Sequence, residues 1–245
     1  MTAVPFAALF DLDGTLVDTD PLHLAAWNGV LAREGRPAIG VETYRARVMG
    51  FDADAVTAAL FPGRPLAERL ALAEDKEAAF RAALSGAAES GAAGPVHPLP
   101  GLLALLDRLD AAGVPKAVVT NAPRANARLM LDALGLAGRF GALVIGEELA
   151  RAKPDPLPYA TGLAILGASA GRALAFEDSA AGVRSASGAG IETVGLLTSL
   201  DAAALRAAGA AHVARDYGDP ALLAVFEARL RDAAAARDGP GRGRA

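Results

Sequence analysis

Short apolar runs alternate along this chain with segments whose apolar residues recur at helical spacing. Phe6-Ala7-Ala8-Leu9-Phe10 is the first run, and Asp11-Leu12-Asp13-Gly14 ends it abruptly, so it reads as a buried strand entering a tight loop. Residues 114–120, Ala142–Ile145, 172–176 and Glu192–Leu196 are further runs of strand length. Between them the period changes. Leu102, Leu103, Leu105, Leu106 and Leu109 form one apolar face, with Gly113 placed for a C-cap, and residues 124–134, Leu157–Leu166 and 179–189 follow the same logic. Strands and helices in alternation predict an α/β fold with a doubly wound, Rossmann-like parallel sheet.

One interval interrupts this rhythm. Asp11 and Thr120 stand much farther apart than the about 30 residues of a βαβ unit. The intervening pattern is helical throughout: Asp20 suits an N-cap, Pro21 the first helical position and Gly35 the end of a first helix, and further helices are expected over 41–49, 52–60 and 66–88. Trp27, Leu24 and Leu31 make the apolar face of the first of these. Gly91-Ala92-Ala93-Gly94-Pro95 then reads as a linker back to the sheet. The predicted organisation is a catalytic core from 1–18 and 97–234, an inserted all-helical cap over 19–96, and a flexible tail at 235–245.

Composition narrows the function classes. The chain has no cysteine, which excludes disulfides, thiolate metal sites and cysteine nucleophiles and is compatible with the cytoplasm. No uninterrupted apolar stretch reaches the ~20 residues of a membrane span, and the N-terminus lacks the pattern of an export signal, so a soluble, unexported protein is expected. With 24 Lys and Arg against 28 Asp and Glu, the formal charge of −4 disfavours nucleic acid as a partner. A monomer is compatible with the pattern.

In an open parallel sheet, ligands bind beyond the carboxyl ends of the strands, so polar residues that follow the apolar runs are the candidates. They are Asp11 and Asp13 after the first run, Thr120 and Asn121 after Val118-Val119, Lys153 in the loop after the fourth core segment, and Glu177-Asp178 after Ala175-Phe176. Several carboxylates in one crevice require a cation. Oxygen-only donors point to a hard divalent ion, and magnesium suits a site that also takes phosphate oxygens. Lys153 supplies a compact positive charge, and the Thr120 hydroxyl a donor for phosphate oxygens. This set permits Asp11 to attack phosphorus and form an aspartyl-phosphate that water then hydrolyses. Asp13 would move the proton in both steps, and Gly14 would relieve the turn where a positive φ is needed.

Asp11-Leu12-Asp13-Gly14-Thr15-Leu16-Val17-Asp18, Val119-Thr120-Asn121, Lys153-Pro154-Asp155-Pro156 and Phe176-Glu177-Asp178-Ser179 resemble, in order and spacing, the four motifs of haloacid dehalogenase-like hydrolases. The resemblance covers the chain to about residue 230 and includes a helical cap placed as in the phosphatase and β-phosphoglucomutase branch. It implies a phosphatase acting on a small phosphorylated metabolite such as a sugar phosphate or phosphoglycolate. A sugar phosphomutase is the enzymatic alternative, and a noncatalytic phosphometabolite sensor the alternative of another class. Asp13 argues against a dehalogenase proper. By the same resemblance, magnesium would be held by the Asp11 side chain, the Asp13 backbone carbonyl and Asp178, with Glu177 assisting directly or through water. In the cap, His23, Arg47 and Lys76 are the candidate substrate contacts, with Arg45 a further cation, and Phe51 follows Met49-Gly50 where relatives often carry an arginine. The bland reading of Arg45, Arg47, Lys76 and Arg124 is solvated charge. Asp155 reads as a structural residue of the Lys153 loop, and Ser179 as a helix N-cap.

Overall fold

The computed structural model describes residues 6–49, 51, 53–89 and 96–238. The expected linker at 91–95 lies outside the described residues, as do residues 239–245 of the expected tail. Six strands, β1 (Ala7–Phe10), β2 (Lys116–Thr120), β3 (Ala142–Ile145), β4 (Ala173–Glu177), β5 (Glu192–Leu196) and β6 (His212–Ala214), form a wholly parallel sheet in the order β3-β2-β1-β4-β5-β6. The strand order reverses between β1 and β4. That is where a doubly wound sheet opens a crevice at its carboxyl edge.

Ten α-helices accompany the strands among the described residues. The four between β1 and β2 that precede the return to the sheet are α1 (Asp20–Arg33), α2 (Val41–Arg47), α3 (Ala53–Leu60) and α4 (Leu66–Glu89). The other six are α5 (Leu102–Ala111), α6 (Arg124–Ala133), α7 (Leu157–Leu166), α8 (Ala180–Gly188), α9 (Ala202–Ala208) and α10 (Pro220–Asp238).

Alternation along β1 and β4 divides the core between two faces. Ala7, Leu9 and Ala175 join Val119, Val144, Tyr159 and Leu163 on the side covered by α7. Phe10 and Phe176, paired in register, stack on the opposite side at 4.6 Å between ring centroids, with Tyr217 against both. Such a pair adds about 0.5–1.5 kcal/mol beyond its burial. Both strands are buried on two faces, which is why they carry no polar residue until their ends.

The described residues separate into two compact units. The first takes the chain up to Val17, Pro98–Pro123 and everything from Leu136 on; the second takes Asp18–His97 and Arg124–Gly135. The second unit has its own core of Trp27, Val30, Leu31, Tyr44, Val48, Val56, Leu60, Phe61 and Leu72, with Leu24 packed on it. The face expected of Trp27, Leu24 and Leu31 is thus apolar and inward. Helix α6 groups with this unit because buried Asn126 bonds Glu77 and Arg81 of α4 at 2.6 and 3.1 Å.

The sequence reading differs from the structure at several ends. Thr19, not Asp20, occupies the N-cap of α1; the Asp20 carboxylate accepts from Tyr44 Oη instead, and the Asp20 N–H donates to Asp18. Leu103 is exposed because it lies one helical step round from Leu102, leaving Leu102, Leu105, Leu106 and Leu109 as the buried face of α5. β2 starts two residues late, after Pro115, which has no N–H to give a ladder. β6, α9 and α10 were not anticipated. α10 runs to Asp238, into the stretch expected as a tail, because Ala233 to Ala236 is a run of the strongest helix former.

Candidate active site

β1 ends at Phe10, and Asp11 continues its line by donating its N–H to the Phe176 carbonyl at 3.0 Å. The chain then turns sharply: Leu16 N–H returns to the Leu12 carbonyl at 2.8 Å and Gly14 N–H reaches Val17 at 2.7 Å. Gly14 has φ +70°, as the turn was expected to need. Its lack of a side chain matters twice, since a Cβ there would lie 1.9 Å from Asp178 Oδ2. A tight glycine turn therefore lets the ends of β1 and β4 approach.

The lysine loop arrives from β3, the third strand and not a fourth core segment as the spacing suggested. Asn121, just past β2, clamps it: the Asn121 amide donates to the Lys153 carbonyl and its oxygen accepts the Lys153 N–H, both at 3.2 Å. The side chain expected beside a phosphate is thus engaged in holding a loop. Asp155 closes the loop by accepting the Leu157 N–H at 2.9 Å. Lys153 Nζ then donates to Asp11 Oδ1 and to Glu177 Oε1, each at 2.6 Å, and all three side chains are buried. Buried Thr120 uses its hydroxyl oxygen to accept the Ala122 N–H at 2.9 Å, shaping the turn after β2.

Glu177 is fully buried and heavily bonded. Its Oε1 also accepts from Tyr159 Oη at 2.8 Å, and its Oε2 from the Ser179 hydroxyl at 3.2 Å. Ser179 caps α8 by accepting the Gly182 N–H, as expected. Asp178 Oδ1 accepts from Thr15 at 3.4 Å and Oδ2 from Ser199. Oxygen atoms of Asp11, Glu177 and Asp178 come within 4.8 Å of one another. Three buried carboxylates around one crevice, with only oxygen donors, can hold a metal ion.

The electrostatics agree with a site short of positive charge, three carboxylates facing one ammonium. Burial pushes the Asp11 carboxyl up to about 8; Lys153 opposes the shift, and Glu177 and Asp13 add to it. Burial works against the Lys153 ammonium, yet Asp11 and Glu177 hold its pKa above the ordinary lysine value. Burial, and then the same carboxylates, raise the Tyr159 phenol. A cation among the carboxylates would return Asp11 to its ionised form near neutral pH.

Of the residues expected at the site, the structure thus gathers the Asp11, Glu177 and Asp178 carboxylates and sets Lys153 on the first two, with Thr120 and Asn121 on adjoining turns. His23, Arg47 and Lys76 belong to the helical unit. There Lys76 is buried, which rules out the alternative of a solvated charge: its Nζ lies 2.7 Å from His23 Nδ1 and 2.8 Å from Glu77, over the Trp27 and Phe80 rings. The His23 ring stacks on Phe80 at 4.1 Å. Arg45 and Arg47 are exposed. Sequence reasoning missed Tyr159 and Ser199. Nothing marks a tyrosine within an apolar helix face as a carboxylate partner. Ser199, however, follows the fifth apolar run, and the rule of collecting polar residues at strand ends would have found it.

A model of the haloacid dehalogenase-like hydrolase family matches residues 7–190. The chain is 35% identical over 206 residues to the validoxylamine A 7'-phosphate phosphatase of Streptomyces hygroscopicus subsp. limoneus, covering 81% of this chain and 88% of that protein. It is 38% identical over 193 residues to a phosphoglycolate phosphatase of Rhodospirillum rubrum, covering 78% and 79%. The crystal structure of CbbY from Rhodobacter sphaeroides in complex with phosphate superposes with a TM-score of 0.72 at 27% identity, covering 89% of this chain and 98% of that one.

Proposed function

Because this chain belongs to the haloacid dehalogenase-like hydrolases, we propose that it is a magnesium-dependent phosphatase of a small phosphomonoester, such as a sugar phosphate or phosphoglycolate. The observation that carries the reading is the contact of Lys153 Nζ with Asp11 Oδ1 beside the Glu177 and Asp178 carboxylates. Such a set holds a nucleophile and neutralises a phosphoryl group in one place.

In the first step an Asp11 oxygen attacks phosphorus, the new O–P bond forms as the ester P–O bond breaks, and the Asp13 carboxyl protonates the departing alkoxide. In the second, the Asp13 carboxylate takes a proton from water. That water attacks the aspartyl-phosphate and frees inorganic phosphate and Asp11. Lys153 holds a transferring phosphate oxygen and restrains Asp11, and the turn after β2, with Thr120, offers donors to the remaining oxygens. Asp11, Asp178 and Glu177, with the Asp13 carbonyl, would hold Mg2+, which neutralises charge on the carboxylates and phosphate when bound.

We assign substrate selection to the helical unit acting as a cap, with His23, Arg47 and Lys76 as its candidate contacts. Among the described residues no helix is long and apolar enough to cross a membrane, and we place the enzyme in the cytoplasm with a soluble metabolite as its partner.

A screen of sugar phosphates, phosphoglycolate and nucleotides, with Mg2+ or with EDTA, tests this. Wild-type protein should release inorganic phosphate from at least one small ester in a Mg2+-dependent manner, and Asp11→Asn should lower the rate by at least about a thousandfold. Conversion of glucose 1-phosphate to glucose 6-phosphate, stimulated by a bisphosphate, would identify a mutase instead. Binding of phosphosugars without any turnover would identify a sensor.

A further inference from the structure

The loop that follows β5 carries Ser199, whose hydroxyl donates to Asp178 Oδ2. We propose that Ser199 is a positioning residue for cation binding, fixing the Asp178 carboxylate in the orientation a divalent ion requires. The inference rests on reading Asp178 as a metal ligand.

Three of its neighbours bear on where that carboxylate sits. The bare Cα of Gly14 lies beneath it, Thr15 Oγ1 donates to Oδ1, and Ser199 Oγ donates to Oδ2. Each oxygen thus has its own hydroxyl. The terminal torsion of an aspartate is broad and sets little by itself, so the donors choose the angle. A carboxylate oxygen has two lone-pair directions, so accepting from a hydroxyl is compatible with binding an ion through the same oxygen. Groups that orient a ligand in this way tune metal affinity without touching the metal.

The topology delivers Ser199 to this place. β5 pairs beside β4 with Gly195 opposite Glu177, so the loop leaving β5 passes alongside the residue after Glu177. The hydroxyl is not needed to start the next helix. Asp201 caps α9 by accepting the Ala204 N–H at 2.8 Å.

The test is calorimetric titration of Mg2+ into metal-stripped, full-length wild type, Ser199→Ala and Ser199→Thr, with melting temperatures in EDTA. Ser199→Ala should weaken the Mg2+ Kd by about tenfold or more, with a metal-free melting temperature close to wild type, and Ser199→Thr should restore the affinity. If Ser199→Ala does not fold, Ser199→Gly removes the same hydroxyl. Wild-type affinity in the variant lacking the hydroxyl would overturn the inference alone, and so would a Ser199→Thr protein as weak as Ser199→Ala. Failure of wild type itself to take up Mg2+ would overturn the metal-site reading and this inference together.

Discussion

Lys153 donates to Asp11 and Glu177 at once, so its removal leaves two buried acids without their ammonium. Breaking such a pair costs about 3–5 kcal/mol, far more than an exposed ion pair. Lys153→Met should therefore lower the unfolding free energy measured in urea by an amount of that order as well as abolish turnover, both readable on the same preparation. Asp11 gives a prediction with a definite sign. Between its ordinary value of 3.8 and about 8, folded protein retains a proton that unfolded protein has released. Stability in the absence of metal therefore falls as pH rises through that window and levels off above it. Melting curves in EDTA from pH 4 to 9 should show this decline, and Asp11→Asn, which cannot ionise, should flatten it.

Elements inherit these demands. α8 begins at the Ser179 cap and lays its first turn directly against the Glu177 carboxylate: a Cβ at Gly182 would fall 1.9 Å from that group. Alanine is the better helix former by about 1 kcal/mol, yet at Gly182 the clash wins. Gly182→Ala should cost about 1–3 kcal/mol in chemical denaturation and reduce activity, because Glu177 cannot move without disturbing Lys153 and Tyr159. Gly29 in α1 provides the contrast. Among the described residues, and apart from its own helix backbone, a Cβ there would meet only the far end of Arg33, at 4.0 Å, so Gly29→Ala should raise stability by up to about 1 kcal/mol in the same assay.

At the scale of the molecule, the sheet order sets β1 beside β4 and gathers charges that repel one another, so bound cation and folded state should reinforce each other. Mg2+ at a hundredfold excess over its Kd should stabilise the protein by about 2.7 kcal/mol, visible as a higher melting temperature that Asp178→Asn loses. Much of this architecture was legible beforehand. Fully buried parallel strands appear as uninterrupted apolar runs, so β1, β3 and β5 could be placed well, and the helical period of α7 and α8 was equally plain. β6 was not legible, because three residues at a sheet edge are too few to show a period. Asn121, engaged with the Lys153 backbone, shows the same limit at a side chain: its place in the chain was clear and its partner was not.

The sequence by itself determined the alternation of strands and helices, the run of helices between the first two strands, and the places of Asp11, Glu177 and Asp178 at strand ends and of Lys153 in a loop, because periodicity and strand termini are local properties of a chain. Only the tertiary structure decided that Lys153 bridges Asp11 and Glu177, that Tyr159 and Ser199 support the carboxylates, and that Lys76 is buried among aromatic rings. Those facts depend on which distant segments share a few ångströms of space, and burial and charge take their strength from that proximity rather than from spacing along the chain.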